Sequence, residues 1–249
     1  MRVGVFFQAG EPAVMDMVDR TVVVIDVLRA TSTMVEALVN GAQGVYPAAS
    51  TEEAIKLASS LGPEDTLLCG ESKGLMIEGF DLGNSPREFT PDRVTDKRLI
   101  MSTTNGTRAF LMAEDADRVL ACSFLNVGAV ASAMGEAEEM VIVCAGREGR
   151  FAADDAVCAG TLLMRLQESH DGEIKLNDAA KAALELANKF RVGAEFLAMT
   201  DGGRSLVDIG FREDLDHCAR VDRYDVVPEM EDRVIQLRSL GEADQPVSH

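Results

Sequence analysis

The chain has 249 residues, with 24 Lys and Arg against 42 Asp and Glu and a formal net charge of −18. That balance argues against nucleic acid as a partner, because neutralising phosphates needs clustered Lys and Arg. Apolar residues make up 47%, yet no run approaches the roughly 18 residues of a membrane span, and the apolar start is too short for a secretory signal.

Strand-like runs alternate with helical patterns along the chain. Residues 1–7 read as a first strand. Residues 21–27 read as a second, Val- and Ile-rich with no polar interior, as expected of a sheet covered on both faces. A helix over 33–40 follows, with Thr33 and Glu36 at capping-box spacing and Gly41 as its stop. Next come a strand at 44–47, a helix at 51–61 opened by Thr51, and a strand at 66–69 that delivers Gly70 and Glu71. Residues 72–91 read as a long irregular loop, and loops of that length are often functional. A strand at 99–102 leads through the turn Thr103-Thr104-Asn105-Gly106-Thr107 into a short helix to about residue 112. The alternation continues with a strand at 118–121, a helix at 127–134, a strand at 140–145 and a helix from about 154 to 167. A helix at 177–191 capped by Asn177, helical pieces at 193–199 and 204–216, a strand at 224–228 and a polar tail complete the chain.

This pattern predicts an α/β fold of three α/β/α layers around a mainly parallel or mixed sheet. Residues 1–249 are read as a single α/β unit, with two similar-sized lobes near 1–120 and 121–249 as the alternative division. Five cysteines without CxxC spacing (Cys69, Cys122, Cys144, Cys158 and Cys218) fit a reducing, cytoplasmic setting. Three histidines make a His-rich zinc site a poor expectation. Homo-oligomerisation is compatible with the sequence, which marks no interface.

Four strand ends carry polar groups: Asp26 with Arg29, Thr31 and Ser32; Glu71; the 103–107 turn; and Arg147 through Asp155. If the strands are parallel neighbours, all four loops share one sheet edge, where open α/β sheets bind ligands. Carboxylates from several strand ends suit magnesium, and hydroxyls with helix-start amides suit phosphate. Each signal has a plain reading beside it. Asp26 can pair with Arg29 in the core, Asp154 and Asp155 can be helix caps, with that role favoured for Asp154, and Asn105-Gly106 can be only a turn. Cys144 through Arg150 has the C-x5-R spacing of cysteine phosphatases, but Cys144 falls in an apolar strand pattern that favours a packed, inert thiol.

Taken in order, several segments resemble the magnesium-dependent 2-phosphosulfolactate phosphatases. They are Val23-Val24-Ile25-Asp26-Val27-Leu28-Arg29-Ala30-Thr31-Ser32-Thr33, Gly70-Glu71, Gly79-Phe80-Asp81-Leu82-Gly83-Asn84-Ser85-Pro86, the 103–107 turn, Ser123-Phe124-Leu125-Asn126, and Cys144-Ala145-Gly146 with Gly149, Phe151 and Asp155. The resemblance implies hydrolysis of 2-phospho-3-sulfolactate, or a related phosphorylated 2-hydroxy acid, to sulfolactate and phosphate with Mg2+; in archaea this reaction belongs to coenzyme M synthesis. It also implies an α/β arrangement that is not haloacid dehalogenase-like, and Asp26-Val27-Leu28 lacks the second Asp of the DxDxT pattern. On this reading Asp26, Arg29, Glu71 and Asp155 are catalytic, and Asp26, Glu71 and Asp155 are the metal ligands. Arg29, Thr31, Ser32, Asn84, Thr104, Asn105, Gly106 and Arg147 bind a small anionic phosphorylated substrate. The rivals are a cysteine-dependent phosphatase using Cys144 and Arg150, and a non-catalytic phosphometabolite-binding regulator.

Overall fold

A computed structural model describes residues 1–12, 16–62, 64–134 and 137–237. These residues build an α/β fold around a mixed sheet, with strands in the order β5 (Leu75–Met76), β4 (Thr66–Ser72), β6 (Arg98–Ser102), β3 (Gly44–Pro47), β11 (Val234–Leu237), β10 (Pro228–Glu231), β7 (Arg118–Cys122), β2 (Thr21–Ile25), β8 (Glu139–Cys144), β1 (Arg2–Phe6) and β9 (Lys175–Leu176). β2 (Thr21–Ile25) is buried along its whole length and pairs in parallel with β7 (Arg118–Cys122) and β8 (Glu139–Cys144). Its alternate side chains supply two cores. Val22 and Val24 pack with Met34, Ala37 and Phe110 on one face, whereas Val23 and Ile25 pack with Leu162, Leu163 and Ala183 on the other. Helices α1 (Ala30–Val39) and α4 (Gly106–Met112) cover the first face, and α5 (Val127–Ala133), α6 (Ala153–Ser169), α7 (Asp178–Lys189) and α8 (Ala194–Met199) belong to the second. Each face buries apolar surface at roughly 25 cal/mol per Å2, and the result is the expected three-layer architecture.

The sheet is not one parallel set. β1 (Arg2–Phe6), β8, β2 and β7 form one parallel block, and β3 (Gly44–Pro47), β6 (Arg98–Ser102) and β4 (Thr66–Ser72) form another. Between them lies an antiparallel hairpin, β10 (Pro228–Glu231) and β11 (Val234–Leu237), which pairs antiparallel with β7 on one side and β3 on the other. Three antiparallel steps reverse the second block relative to the first. Strand twist of roughly 20–25° per neighbouring pair, accumulated over the five pairings from β6 to β2, offsets much of that reversal. The carboxyl ends of β2, β8, β4 and β6 therefore face a common cleft although they are not one run of parallel neighbours.

Several elements differ from the sequence expectation. Helix α1 begins at Ala30 rather than Thr33, so the expected capping box does not form; the Thr33 hydroxyl instead donates to the Asn84 carbonyl at 2.9 Å. Helix α2 (Thr51–Leu61) is capped by Ser50, whose hydroxyl accepts from the Glu53 amide. The loop expected over 72–91 holds β5 (Leu75–Met76) and a 3-10 turn at Pro86–Glu88, and a short helix α3 (Pro91–Val94) follows it. The 204–216 piece is two helices, α9 (Asp201–Asp208) and α10 (Arg212–Cys218), parted at Gly210, whose φ of 89° suits only a residue without a side chain. The strand expected at 224–228 starts at its last residue and continues as the β10–β11 hairpin through what was read as polar tail; residues 238–249 lie outside the described region.

Candidate active site

The carboxyl ends of β2, β4, β6 and β8 open onto a cavity of about 440 Å3, the size of a small-molecule site. Asp26, Arg29, Glu71, Asn84, Thr104, Asn105, Arg147 and Asp155 all line it, so eight of the eleven sequence-predicted positions come together. The other three act behind the wall. The Thr31 hydroxyl donates to the Asp26 carbonyl at 2.8 Å and accepts from the Asp26 amide, and the Ser32 hydroxyl donates to the Val27 carbonyl. Both therefore hold the β2–α1 turn rather than face a ligand. Gly106 sits so close that an added Cβ would lie 2.6 Å from Asp26 Oδ2 and 2.5 Å from the Ala30 Cβ. Its contribution is the room it leaves for the Asp26 carboxylate.

Four of the pocket carboxylates, Asp26, Glu71, Asp154 and Asp155, fall into two pairs with different occupations. Glu71 accepts from the Thr104 amide at 2.8 Å through one oxygen and from the Gly74 amide at 2.7 Å through the other. Asp155 likewise accepts from the Val27 amide at 2.8 Å and the Gly146 amide at 3.0 Å. Glu71 thus ties β4 to the β6–α4 turn, and Asp155 ties the β8–α6 loop to the end of β2. Asp26 makes only one long side-chain hydrogen bond, from the Ala30 amide at 3.3 Å. Asp154 lines the cavity near Arg147, although its position at a helix start had favoured a capping role. Burial, followed by the charges of Asp154 and Glu71, pushes the Asp26 carboxyl up to about 7 against the Ala30 hydrogen bond. Burial also pushes Asp154 up to about 6, opposed by a hydrogen bond from its own amide and then by Arg147, and raises Asp155 well above the carboxylate range with help from Asp154 and Asp26.

The cations are placed around these acids. Arg29 Nη1 bonds to Asp214 Oδ2 at 2.8 Å and its Nη2 donates to the Gly74 carbonyl at 2.6 Å. Arg147 Nη1 donates to the Asp201 carbonyl at 2.6 Å. Lys73, in the tight β4–β5 turn with φ of 54°, also lines the cavity. Sequence reasoning missed Lys73 because nothing local marks a lysine in a loop as inward-facing. The Oδ1 of Asn84 is buried without a hydrogen-bond partner, and a buried acceptor left in that state calls for a donor or cation from a ligand.

Cys144 is fully buried behind the wall, and burial with the nearby Asp155 and Asp154 charges raises its thiol far above the range of a thiolate nucleophile. Arg150 pairs by backbone hydrogen bonds with Arg147 and does not line the cavity. The C-x5-R spacing is therefore a turn, not a phosphate-binding loop.

The chain matches the 2-phosphosulpholactate phosphatase family over residues 9–233. It belongs to that family. A protein of Caldanaerobacter subterraneus subsp. tengcongensis, named as a probable 2-phosphosulfolactate phosphatase, is 39% identical over 223 residues, covering 89% of this chain and 92% of the relative. Proteins with the same name from Clostridium perfringens and Thermotoga maritima are 41% and 37% identical, covering 88% and 89% of this chain and 89% and 93% of the relatives. Among the described residues, no helix is long and apolar enough to cross a membrane.

Proposed function

We propose that this pocket hydrolyses the phosphate monoester of a small anionic 2-hydroxy acid, 2-phospho-3-sulfolactate or a close relative, with magnesium as cofactor, in the cytoplasm. The observation that carries the reading is the charge of the cavity wall. Six acids (Asp26, Glu71, Glu148, Asp154, Asp155 and Asp201) line it against three bases, Arg29, Lys73 and Arg147. Burial holds three of these acids, Asp26, Asp154 and Asp155, toward their protonated forms, and a cation that takes the place of those protons makes the wall compatible with a polyanion. The donor set fits a hard cation, because Asp26 and Asp154 keep oxygens that the backbone does not use. Among the described residues, no three Asp, Glu, His or Cys side chains form a ready metal cluster. Magnesium needs only one or two carboxylates, since waters and substrate oxygens complete its shell. Glu71 and Asp155, first read as ligands, are better assigned to holding the loops.

Hydrolysis joins a water oxygen to phosphorus and breaks the bond from phosphorus to the ester oxygen, which leaves as an alkoxide and takes up a proton. A cation bound at Asp26 would supply charge for the phosphoryl oxygens and acidify water. Asp154, pushed up to about 6 and opposed by Arg147, is the residue we assign to proton transfer, because a carboxyl near the working pH exchanges protons in both directions. Arg29 offers the donors that Asp214 and Gly74 leave free, and Lys73 and Arg147 offset the substrate's second anionic group. The unpartnered Oδ1 of Asn84 is an acceptor, and would take a cation or a protonated phosphate oxygen rather than a bare anionic one.

The test is phosphate release from 2-phospho-3-sulfolactate with magnesium and with EDTA. Wild-type and Cys144→Ser proteins are expected to turn over only with the metal, and Asp26→Asn to lose at least about a hundredfold, the scale of removing one charge-stabilising group. Turnover in EDTA, or tight substrate binding without product, overturns the assignment.

A further inference from the structure

Helix α10, which follows the α9 segment of the cavity wall, reaches Arg29 from behind. Asp214 is completely buried, and its Oδ2 meets Arg29 Nη1 at 2.8 Å while its Oδ1 accepts from the Ser85 hydroxyl at 2.6 Å. Phe211, the residue before α10, lies under the same guanidinium, with the ring centroid 4.5 Å from Arg29 Cζ. The Gly74 carbonyl takes a hydrogen from the other terminal nitrogen at 2.6 Å. A carboxylate, an aromatic face and a carbonyl thus surround a guanidinium whose side chain is only 2% exposed. Of its five donors these contacts use two, and Arg29 still forms part of the cavity wall. An arginine serving only as a core ion pair has no need to border a cavity, and a ligand-binding arginine gains from supporting contacts that lock its side chain. This arginine is immobilised and borders the cavity as well.

Helix α10 is itself fixed one turn further on. His217 Nε2 lies 2.9 Å from Glu36 Oε2, which also accepts from the Tyr224 hydroxyl at 2.9 Å. Glu36 belongs to α1, the helix that Arg29 caps. Asp214 and His217 therefore hold α10 against both ends of the first two turns of α1, so the Asp214 carboxylate has little freedom of its own.

We propose that Asp214 is a positioning residue for the anion site: it fixes the Arg29 guanidinium, with Phe211 and Ser85, in the orientation that receives a phosphate group. The inference rests on the reading of Arg29 as a substrate contact. Orientation before binding matters because a preset fork need not lose side-chain freedom when the anion arrives.

The experiment compares Asp214→Asn, Asp214→Glu, Phe211→Leu and Arg29→Gln by KM and kcat for 2-phospho-3-sulfolactate, by inhibition with inorganic phosphate, and by thermal melting. Asp214→Asn is expected to raise KM and the inhibition constant for phosphate about tenfold, with part of the loss restored in Asp214→Glu. The double variant Arg29→Gln/Asp214→Asn is expected to be no worse than Arg29→Gln alone, because the two residues act as a unit. If Asp214→Asn fails to fold, Phe211→Leu carries the same test through a smaller rise in both constants. Impaired Arg29→Gln beside folded Asp214→Asn, or Phe211→Leu in its place, with unchanged constants overturns this inference alone. Unchanged constants in Arg29→Gln overturn the substrate role of Arg29 and this inference together.

Discussion

Each carboxylate in the cavity does what its unused oxygens allow. Asp155 spends both oxygens on the Val27 and Gly146 amides, so Asp155→Asn turns one acceptor into a donor facing an N–H. The expected cost is about 1–3 kcal/mol, read as a lower melting midpoint at roughly 2–4 °C per kcal/mol; an unchanged midpoint would count against the clamp. Asp26 behaves in the opposite sense. Its folded value is pushed up to about 7 by burial and by Asp154 and Glu71. The proton it holds therefore favours the fold at low pH, and that contribution disappears as pH rises through about 7. In metal-free protein Asp26→Asn should melt several degrees above wild type at pH 8 and close to it at pH 4. Equal midpoints at pH 8 would remove the argument that this carboxylate is held against its own charge. Asp26 and Arg29 were legible in the sequence because a short turn carries them out of an apolar strand. The helix-start reading of Asp154 has a local basis, since its carboxyl bonds its own amide in the first turn of α6, and only the backbone path shows that it also lines the cavity. The clamps were invisible for a related reason: the Thr104 amide is 33 residues from Glu71, and the Val27 amide 128 from Asp155.

Between elements, the contacts of α10 with α1 set how the fold responds to acid. Burial would raise the Glu36 carboxyl, but hydrogen bonds with His217 and Tyr224 outweigh it and hold the group below its ordinary value of 4.5. The stability this gives is present above pH 4.5 and is lost as pH falls through the lowered folded value. Glu36→Gln should therefore flatten the acid limb of a melting-midpoint profile; an acid limb as steep as wild type would show that the pair does not contribute. A second prediction concerns the β6–α4 turn. Gly106→Ala drives a methyl group into Asp26 Oδ2 and the Ala30 Cβ, so kcat/KM should fall at least about tenfold, the scale of a misplaced catalytic group; wild-type kinetics would show that the turn yields freely. The strands β2, β3, β6 and β7 were readable from their runs of buried residues. The hairpin β10–β11 was not, because Pro228-Glu229-Met230-Glu231 carries two acids in four positions and alternates too briefly to stand out from a polar tail. Asp214 and His217 were equally silent, since a charged seven-residue helix reads as solvated until its partners are known.

For the whole molecule, a net charge of −18 and an acid-rich cavity mean that the substrate approaches against repulsion. Salt shortens the reach of that field from about 30 Å at 0.01 M to about 8 Å at 0.15 M. At saturating magnesium, kcat/KM should therefore rise with ionic strength over this range, measured with an inert salt. A fall would show that Arg29, Lys73 and Arg147 dominate the approach.

The reversed pair of strand blocks has a consequence for synthesis. Every residue assigned to the cavity precedes the β10–β11 hairpin in the chain, yet among the described residues β3 and β7 are joined within the sheet through that hairpin, while α1 and α4 bridge the two blocks on one face. On the ribosome, the strands of both walls and the helices that bridge them therefore emerge before the segment that joins them into one sheet. The hairpin acts as the keystone of an arch, placed last, and Arg118 grips it through two hydrogen bonds to Glu229, at 2.9 and 3.0 Å.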